Sequence, residues 1–120
     1  MHWLSGGSGP PLILIHGDYG SWMHWIRNLS GLSKHFRLFV PDLPGYGNST
    51  NLQGDFTEQR LAVTAIAALR QLIPDDSCRI VGFSFGGIVA GHMASIEASR
   101  VSHMVICGTG GLGAPRASSM

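Results

Sequence analysis

One serine in this 120-residue chain has a glycine two positions to either side, in the stretch GFSFG at residues 82–86. An apolar run that predicts a strand precedes it, and a segment of helical character follows it. A strand that turns sharply into a helix holds the residue at the turn above the carboxyl edge of the sheet. Its backbone is strained there, and flanking glycines remove Cβ atoms that would otherwise collide. We therefore predict that Ser84 is a nucleophile, with amide groups at the helix start available to bind an oxyanion.

The alternative interpretation is that Ser84 is an ordinary turn residue. The chain contains 17 glycines and 13 serines, and at this composition the bare spacing arises by chance in roughly one chain in four. The spacing alone is therefore a weak signal. Its position between an apolar run and a helical segment is what favours the nucleophile.

Four short apolar runs end in turn residues and predict buried strands, at residues 12–15, 37–40, 79–81 and 103–107. Apolar residues recur at threes and fours between these runs, which predicts three helices. The first spans about 22–29, the second is capped by Thr57 and ended by Pro74, and the third runs from just after Ser84 to about residue 98. This alternation predicts an α/β fold, with a parallel sheet of about four strands and helices on both faces.

Composition sets limits on the partners and the compartment. The formal net charge is +1 with no cluster of basic residues, so neither nucleic acid nor an anionic membrane surface is an expected partner. No secretory signal or membrane span is visible, and we expect a cytoplasmic protein. Cys78 and Cys107 should lie at opposite ends of neighbouring strands, about 17 to 20 Å apart. A disulfide requires Cα atoms within about 7 Å, so both are predicted to be reduced, buried thiols.

Four stretches carry a resemblance to a known family. They are LILIHGDYGSW at residues 12–22, VPDLPGYGNS at 40–49, VGFSFGG at 81–87 and RVSHMVICG at 100–108. In this order and at this spacing they resemble the α/β-hydrolase family, and are most similar to single-domain esterases and hydrolases of carbon–carbon bonds. The resemblance implies that residues 1–120 are the amino-terminal part of one such domain. The four strands would then lie in the order second, first, third, fourth, which is 4-3-5-6 in family terms, with residues 2–4 beside the second.

The resemblance also implies roles for single residues. The oxyanion hole would be formed by the backbone N–H groups of Phe85 and Asp18. A carboxylate pointed inward at position 18 would oppose the developing negative charge, so the Asp18 side chain should face outward or meet a cation. His16 is expected to brace the oxyanion turn rather than to act as a general base. Asp42 is expected to bind backbone N–H groups within its own turn.

A serine nucleophile needs a base and an acid, which in this fold follow the serine in the order acid, then histidine. No Asp or Glu follows Glu97, and no histidine follows His103. We therefore expect the acid and the base beyond Met120, together with the lid and the remaining strands. This chain alone would then be inactive, and its unpaired last strand could support self-association.

The function implied by the resemblance is hydrolysis of a small, apolar ester or activated carbonyl compound through an acyl-enzyme on Ser84. No metal or organic cofactor is required for this chemistry. A serine nucleophile argues against the dehalogenases and epoxide hydrolases of the same fold, which use aspartate at this position. The alternative is a noncatalytic chain, either a truncated product or a module that binds an apolar ligand or a complementary half.

A dinucleotide site is a further alternative, because GTGGLG at residues 108–113 matches the Gly-x-Gly-x-x-Gly pattern directly after a predicted strand. Such a site needs a following helix and an acidic residue about twenty positions later. Seven residues remain after Gly113, one of them proline and none acidic. A loop of a hydrolase accounts for these glycines better.

Overall fold

Five strands form one sheet in the computed structural model, which describes residues 1–110. They are β1 (His2–Gly7), β2 (Pro11–Ile15), β3 (Arg37–Asp42), β4 (Cys78–Phe83) and β5 (Val101–Cys107), in the order β1-β3-β2-β4-β5. The four predicted strands are confirmed, as is their predicted order.

The four predicted strands run parallel, as predicted, and a fifth strand joins the sheet at one edge. Residues 2–4 do lie beside the second predicted strand, but they belong to a six-residue strand that pairs antiparallel with β3, with Leu4 opposite Val40. The β2–β3, β2–β4 and β4–β5 pairs are parallel. The sheet is therefore mixed, and its parallel part brings the carboxyl ends of β2, β3, β4 and β5 to one edge.

The connecting segments are a 3₁₀ helix (Trp22–Trp25), α1 (Ile26–Leu32), α2 (Glu58–Leu72) and α3 (Phe85–Ile96). The first predicted helix is thus two helices in succession. Thr57 caps α2 as predicted, its hydroxyl accepting the Arg60 N–H at 3.2 Å, and Pro74 follows the end of that helix. The third helix ends two residues earlier than predicted.

Two apolar layers cover the two faces of the sheet, as predicted. On one face, side chains of β2, β3 and β4 pack against α2 and α3 through a buried cluster that includes Ile13, Phe39, Leu61, Val89 and Met93. On the other face, buried residues of β2 and β3 pack under the 3₁₀ helix and α1, which contribute Trp22, Trp25, Leu29 and Leu32. No helix among residues 1–110 is long and apolar enough to span a membrane.

β5 forms the second edge of the sheet and is the most exposed of the parallel strands. Both cysteines are free, as predicted, and burial raises the pKa of the Cys78 thiol. The prediction that both are buried is wrong for Cys107, which is exposed at the end of the edge strand β5. The dinucleotide alternative concerns residues 108–113, of which 111–113 lie outside the described residues.

Candidate active site

Ser84 lies at the bend between β4 and α3 and is half-buried. Its backbone has φ 54° and ψ −122°, a conformation that costs a non-glycine residue about 1–3 kcal/mol. Three hydrogen bonds hold the residue there. Its N–H donates to the Cys107 carbonyl at 2.9 Å, and its carbonyl accepts from the Gly87 N–H at 2.9 Å and the Thr109 hydroxyl at 3.1 Å. The bend is therefore tied both to α3 and to the end of β5.

The glycines on either side of Ser84 stand where two backbones meet. A Cβ at Gly82 would lie 2.5 Å from the carbonyl oxygen of Gly86. A Cβ at Gly86 would lie 2.5 Å from the carbonyl oxygen of Ile15 and closer still to that of His16. Backbone atoms cannot swing aside as a side chain can. Glycine at these positions is what lets the ends of β2 and β4 approach the start of α3.

The turn after β2 lies directly beside Ser84. A Cβ built at Gly17 would be 3.2 Å from the Ser84 Cβ. Within the described residues, neither the Asp18 N–H nor the Phe85 N–H donates to another protein group. Two free backbone donors are thus available in the turn beside the serine and in the residue that follows it.

The Asp18 side chain is exposed and bonded to neighbours rather than to the serine. Its Oδ1 accepts hydrogen bonds from the Tyr46 hydroxyl at 2.6 Å and from the Tyr19 N–H at 3.0 Å. The outward orientation agrees with the expectation, although the partner is a phenol and not a cation. Burial and the neighbouring Asp18 carboxylate raise the pKa of Tyr46, so its hydroxyl remains a donor at ordinary pH.

His16 is fully buried, and both of its ring nitrogens are occupied. Nε2 accepts the Leu43 N–H at 3.0 Å, and Nδ1 lies 2.7 Å from the Gly17 carbonyl oxygen. A backbone N–H can only donate and a carbonyl can only accept, so the ring is neutral with its proton on Nδ1. Burial lowers the pKa of His16 accordingly. This confirms the interpretation of His16 as a brace, since neither nitrogen is free to take a proton from Ser84.

Asp42 is also fully buried and binds backbone amides, as predicted. Oδ2 accepts the Asn48 N–H at 3.0 Å, within the predicted turn. Oδ1 accepts the Trp22 N–H at 2.8 Å, at the start of the 3₁₀ helix, and the His2 ring lies 3.0 Å from Oδ2. The carboxylate therefore joins β1, β3 and the 3₁₀ helix, and no pattern in the sequence indicates the contacts with His2 and Trp22.

No spacing in the sequence indicates the contacts that three further side chains make around the turn, those of His24, Phe56 and Phe83. His24 Nδ1 accepts the Gly17 N–H at 3.2 Å, and the His24 ring packs edge-on against Phe83 with centroids 5.6 Å apart. Phe56 stacks on Phe85 with ring centroids 6.5 Å apart. The two phenylalanines next to Ser84 in sequence therefore each pack against an aromatic ring from a distant segment, and only the folded chain reveals these pairs.

A general base for Ser84 is not found among residues 1–110, where its hydroxyl has no histidine or carboxylate partner. Those residues also contain no group of three or more His, Cys, Asp or Glu that could hold a metal ion. The described part of the site thus offers a hydroxyl and two amides.

The profile of the α/β hydrolase fold matches residues 10–119. The chain belongs to this family. As an α/β hydrolase it is 40% identical over 105 residues to the pimeloyl-(acyl-carrier protein) methyl ester esterase of Vibrio vulnificus (strain YJ016), covering 88% of this chain and 39% of that protein. It is 32% identical over 106 residues to a soluble epoxide hydrolase of Corynebacterium sp., and this match covers 88% of this chain and 37% of the epoxide hydrolase.

Solved structures also support the assignment of this chain to the α/β-hydrolase family. A thermophilic esterase from Thermogutta terrifontis superposes with a TM-score of 0.85 at 29% identity, covering 90% of this chain and 40% of the esterase. The chain spans about two fifths of the length of these relatives.

Two glycines of α3 provide a matched test of the close approach at the bend. Gly86→Ala should lower the free energy of unfolding by about 2 kcal/mol or more, because its Cβ meets backbone oxygens that cannot move independently. Gly91→Ala, whose Cβ would have no atom within 4 Å, should instead stabilise by about 0.5–1 kcal/mol through helix propensity. Urea unfolding of the chain measures both. Equal effects of the two substitutions would contradict the crowding at the bend.

The neutral His16 ring predicts a loss of stability in acid. The unfolded chain binds a proton at His16 near pH 6.5, whereas the folded chain resists it. The neutral His16 ring therefore contributes fully to the free energy of unfolding above that pH. This contribution is lost as the pH falls, by up to about 1.4 kcal/mol per pH unit. His16→Gln keeps a donor and an acceptor but does not titrate. Its free energy of unfolding should change less steeply between pH 6.5 and 5 than that of the unmodified chain, and parallel profiles would argue against a neutral bridge.

Proposed function

We propose that this chain supplies the nucleophile and the oxyanion hole of a serine hydrolase that cleaves small, apolar esters or activated carbonyl compounds. The observation that carries the proposal is the position of Ser84, strained at the start of α3 beside the amides of Phe85 and Asp18, which donate to no protein group within residues 1–110. Strain of this kind persists only where surrounding structure holds it, and it clusters at functional sites. The similarity to esterases supports the same reaction class.

In the proposed reaction the Ser84 hydroxyl oxygen attacks the substrate carbonyl carbon as its proton passes to a histidine. The carbonyl π electrons move onto oxygen, and the amides of Phe85 and Asp18 donate to the resulting oxyanion. Loss of one such donor typically costs an enzyme about 2.7–4 kcal/mol of transition-state stabilisation. The tetrahedral intermediate then expels the alcohol, which takes the proton from the histidine, and an acyl-enzyme remains for water to hydrolyse.

We propose that the histidine and its acidic partner come from residues outside this sequence, and that residues 1–120 are the amino-terminal part of one hydrolase domain. This is supported by the coverage of only about two fifths of the relatives' length. It is also supported by the hydrogen bonds that tie four histidine and acid side chains to the turns or loops around them, those of His16, His24, Asp18 and Asp42. The reduced cysteines suit a cytoplasmic location.

The serine favours ester hydrolysis over epoxide opening, although relatives of both kinds are similar to this chain. Epoxide hydrolases of this fold form their covalent intermediate on an aspartate, whose second oxygen is needed for the alkyl-enzyme ester. Ser84 has one oxygen and forms an acyl ester instead. An ester or an activated carbonyl is therefore the expected electrophile.

Replacement of Ser84 tests the proposal in the full-length protein that contains this chain. Ser84→Ala should lower kcat for p-nitrophenyl butyrate by at least about 10³-fold, the scale seen when a nucleophile is removed. Ser95→Ala, an exposed serine on the same helix, is the matched control and should leave kcat unchanged. Mass spectrometry should place a fluorophosphonate adduct on Ser84. Full activity of Ser84→Ala would exclude the proposed mechanism, whereas an unmodified protein that is inactive on such esters and takes no adduct would favour the noncatalytic alternative.

The exposed edge at β5 predicts self-association of the 120-residue chain. Val105 on this strand is 55% exposed, and an unpaired strand with apolar side chains is a template for pairing with a second copy. Val105→Lys should therefore reduce the concentration-dependent mass measured by light scattering. Val63→Lys, on α2 and 56% exposed, adds the same charge away from the edge and should have little effect. Equal effects of the two lysines would show that general charge, and not the edge, controls association.

A further inference from the structure

The turn beside Ser84 carries a negative charge on the same residue that is proposed to donate an amide to the oxyanion. The Asp18 N–H donates to no protein group in the described part of the chain, and the side chain of the same residue is a carboxylate. A carboxylate that rotated toward the serine would oppose the developing negative charge. The proposed oxyanion hole therefore requires that the amide and the carboxylate of one residue point in different directions.

Tyr46 is the side chain that holds this carboxylate. Its hydroxyl donates to Asp18 Oδ1 at 2.6 Å, a short bond to a charged acceptor, and the Tyr19 N–H donates to the same oxygen at 3.0 Å. No hydrogen bond joins the carboxylate to Ser84 or Phe85 within residues 1–110. The carboxylate is therefore held on the solvent side of the turn by two donors.

Ring contacts and a backbone hydrogen bond hold Tyr46, and with it the hydroxyl, in place. The ring packs edge-on against the buried His16, with centroids 5.0 Å apart, and lies 6.3 Å from the ring of Phe56. The Tyr46 N–H donates to the Leu43 carbonyl at 2.9 Å, which fixes the backbone of its turn. His16 is hydrogen-bonded both to the Leu43 turn and to Gly17. The same buried ring therefore fixes the turn that carries the Tyr46 phenol and the turn that carries Asp18.

We propose that Tyr46 is a positioning residue for the oxyanion hole: its hydroxyl holds the Asp18 carboxylate outward, so that the Asp18 amide meets the developing oxyanion. This inference rests on the proposed serine hydrolase function. Tyr46 touches neither the serine nor the substrate in this role and acts only through Asp18. Phe56 contacts the Tyr46 ring and stacks on Phe85. The same cluster of aromatic rings therefore also contacts Phe85, whose N–H is the second proposed oxyanion donor.

A double-mutant cycle in the full-length protein tests the proposal with p-nitrophenyl butyrate as the substrate. Tyr46→Phe keeps the ring but removes the shorter of the two hydrogen bonds to the carboxylate, which leaves only the Tyr19 N–H to hold it. It should lower kcat roughly tenfold with little change in KM. In the Asp18→Asn background, where position 18 has no charge, the same Tyr46→Phe change should alter kcat by less than about twofold. The defect of Tyr46→Phe should also shrink at high salt, because the released carboxylate is exposed and screened.

Thr64→Val is the matched control, since it also removes one hydroxyl hydrogen bond, to the Arg60 carbonyl of α2 at 2.9 Å, and should leave kcat unchanged. The proposal is overturned if Tyr46→Phe retains full kcat, or if its defect persists in the Asp18→Asn background. Should Tyr46→Phe alone fail to fold, the double variant is compared with Asp18→Asn, and a drop in kcat of more than about fivefold overturns the proposal. Ser84→Ala distinguishes a failure of the proposed role of Tyr46 from a failure of the proposed hydrolase function. If Ser84→Ala remains active, the hydrolase proposal itself has failed.

Discussion

The buried imidazole of His16 is the contact on which the arrangement around the bend depends. It stands at the carboxyl end of β2, where a hydrogen bond at each ring nitrogen joins the turn of Gly17 to the turn that begins at Leu43. One acceptor and one donor in fixed directions admit a single tautomer, so the ring acts as a rigid spacer between two loops. A buried group with both partners satisfied stabilises one arrangement, whereas a protonated ring would leave the Leu43 N–H facing a second donor.

The close contacts at the glycines add a second constraint on the bend, besides the His16 hydrogen bonds. The backbone of β2 ends against the first turn of α3, and only a residue without a Cβ can stand between them at Gly86. The hydroxyl of Ser84 and the amides of Asp18 and Phe85 are thus placed by contacts between main chains, which have few ways to relax. Backbone donors fixed in this manner need little reorganisation when charge develops near them, which is the basis of electrostatic catalysis.

Much of this fold is predictable because its signals are local. Apolar runs identify the strands of the parallel part, Thr57 marks a helix start, and the glycines around Ser84 mark the bend. The antiparallel β1 carries no such signal, since HWLSGG neither alternates nor forms an apolar run. The exposure of Cys107 depends on what covers β5, which the strand's own residues do not encode.

The side chains around the candidate site are harder to predict for a related reason. Tyr46 and Asp18 are 28 residues apart in sequence, and His2 and Asp42 are 40 apart. Such contacts follow from the meeting of three loops at one edge of the sheet, not from any spacing along the chain. The sequence could indicate that a carboxylate at position 18 needs an outward partner, but only the folded chain identifies that partner as a phenol.

The Cys107 carbonyl accepts the N–H of the strained Ser84, yet it belongs to the most exposed of the parallel strands. Fraying of β5 would free the Ser84 amide and allow the backbone to relax toward an ordinary helix start. Part of the rigidity of the bend therefore depends on how well β5 is shielded from solvent. Amide hydrogen exchange at Ser84 is a direct gauge of that shielding.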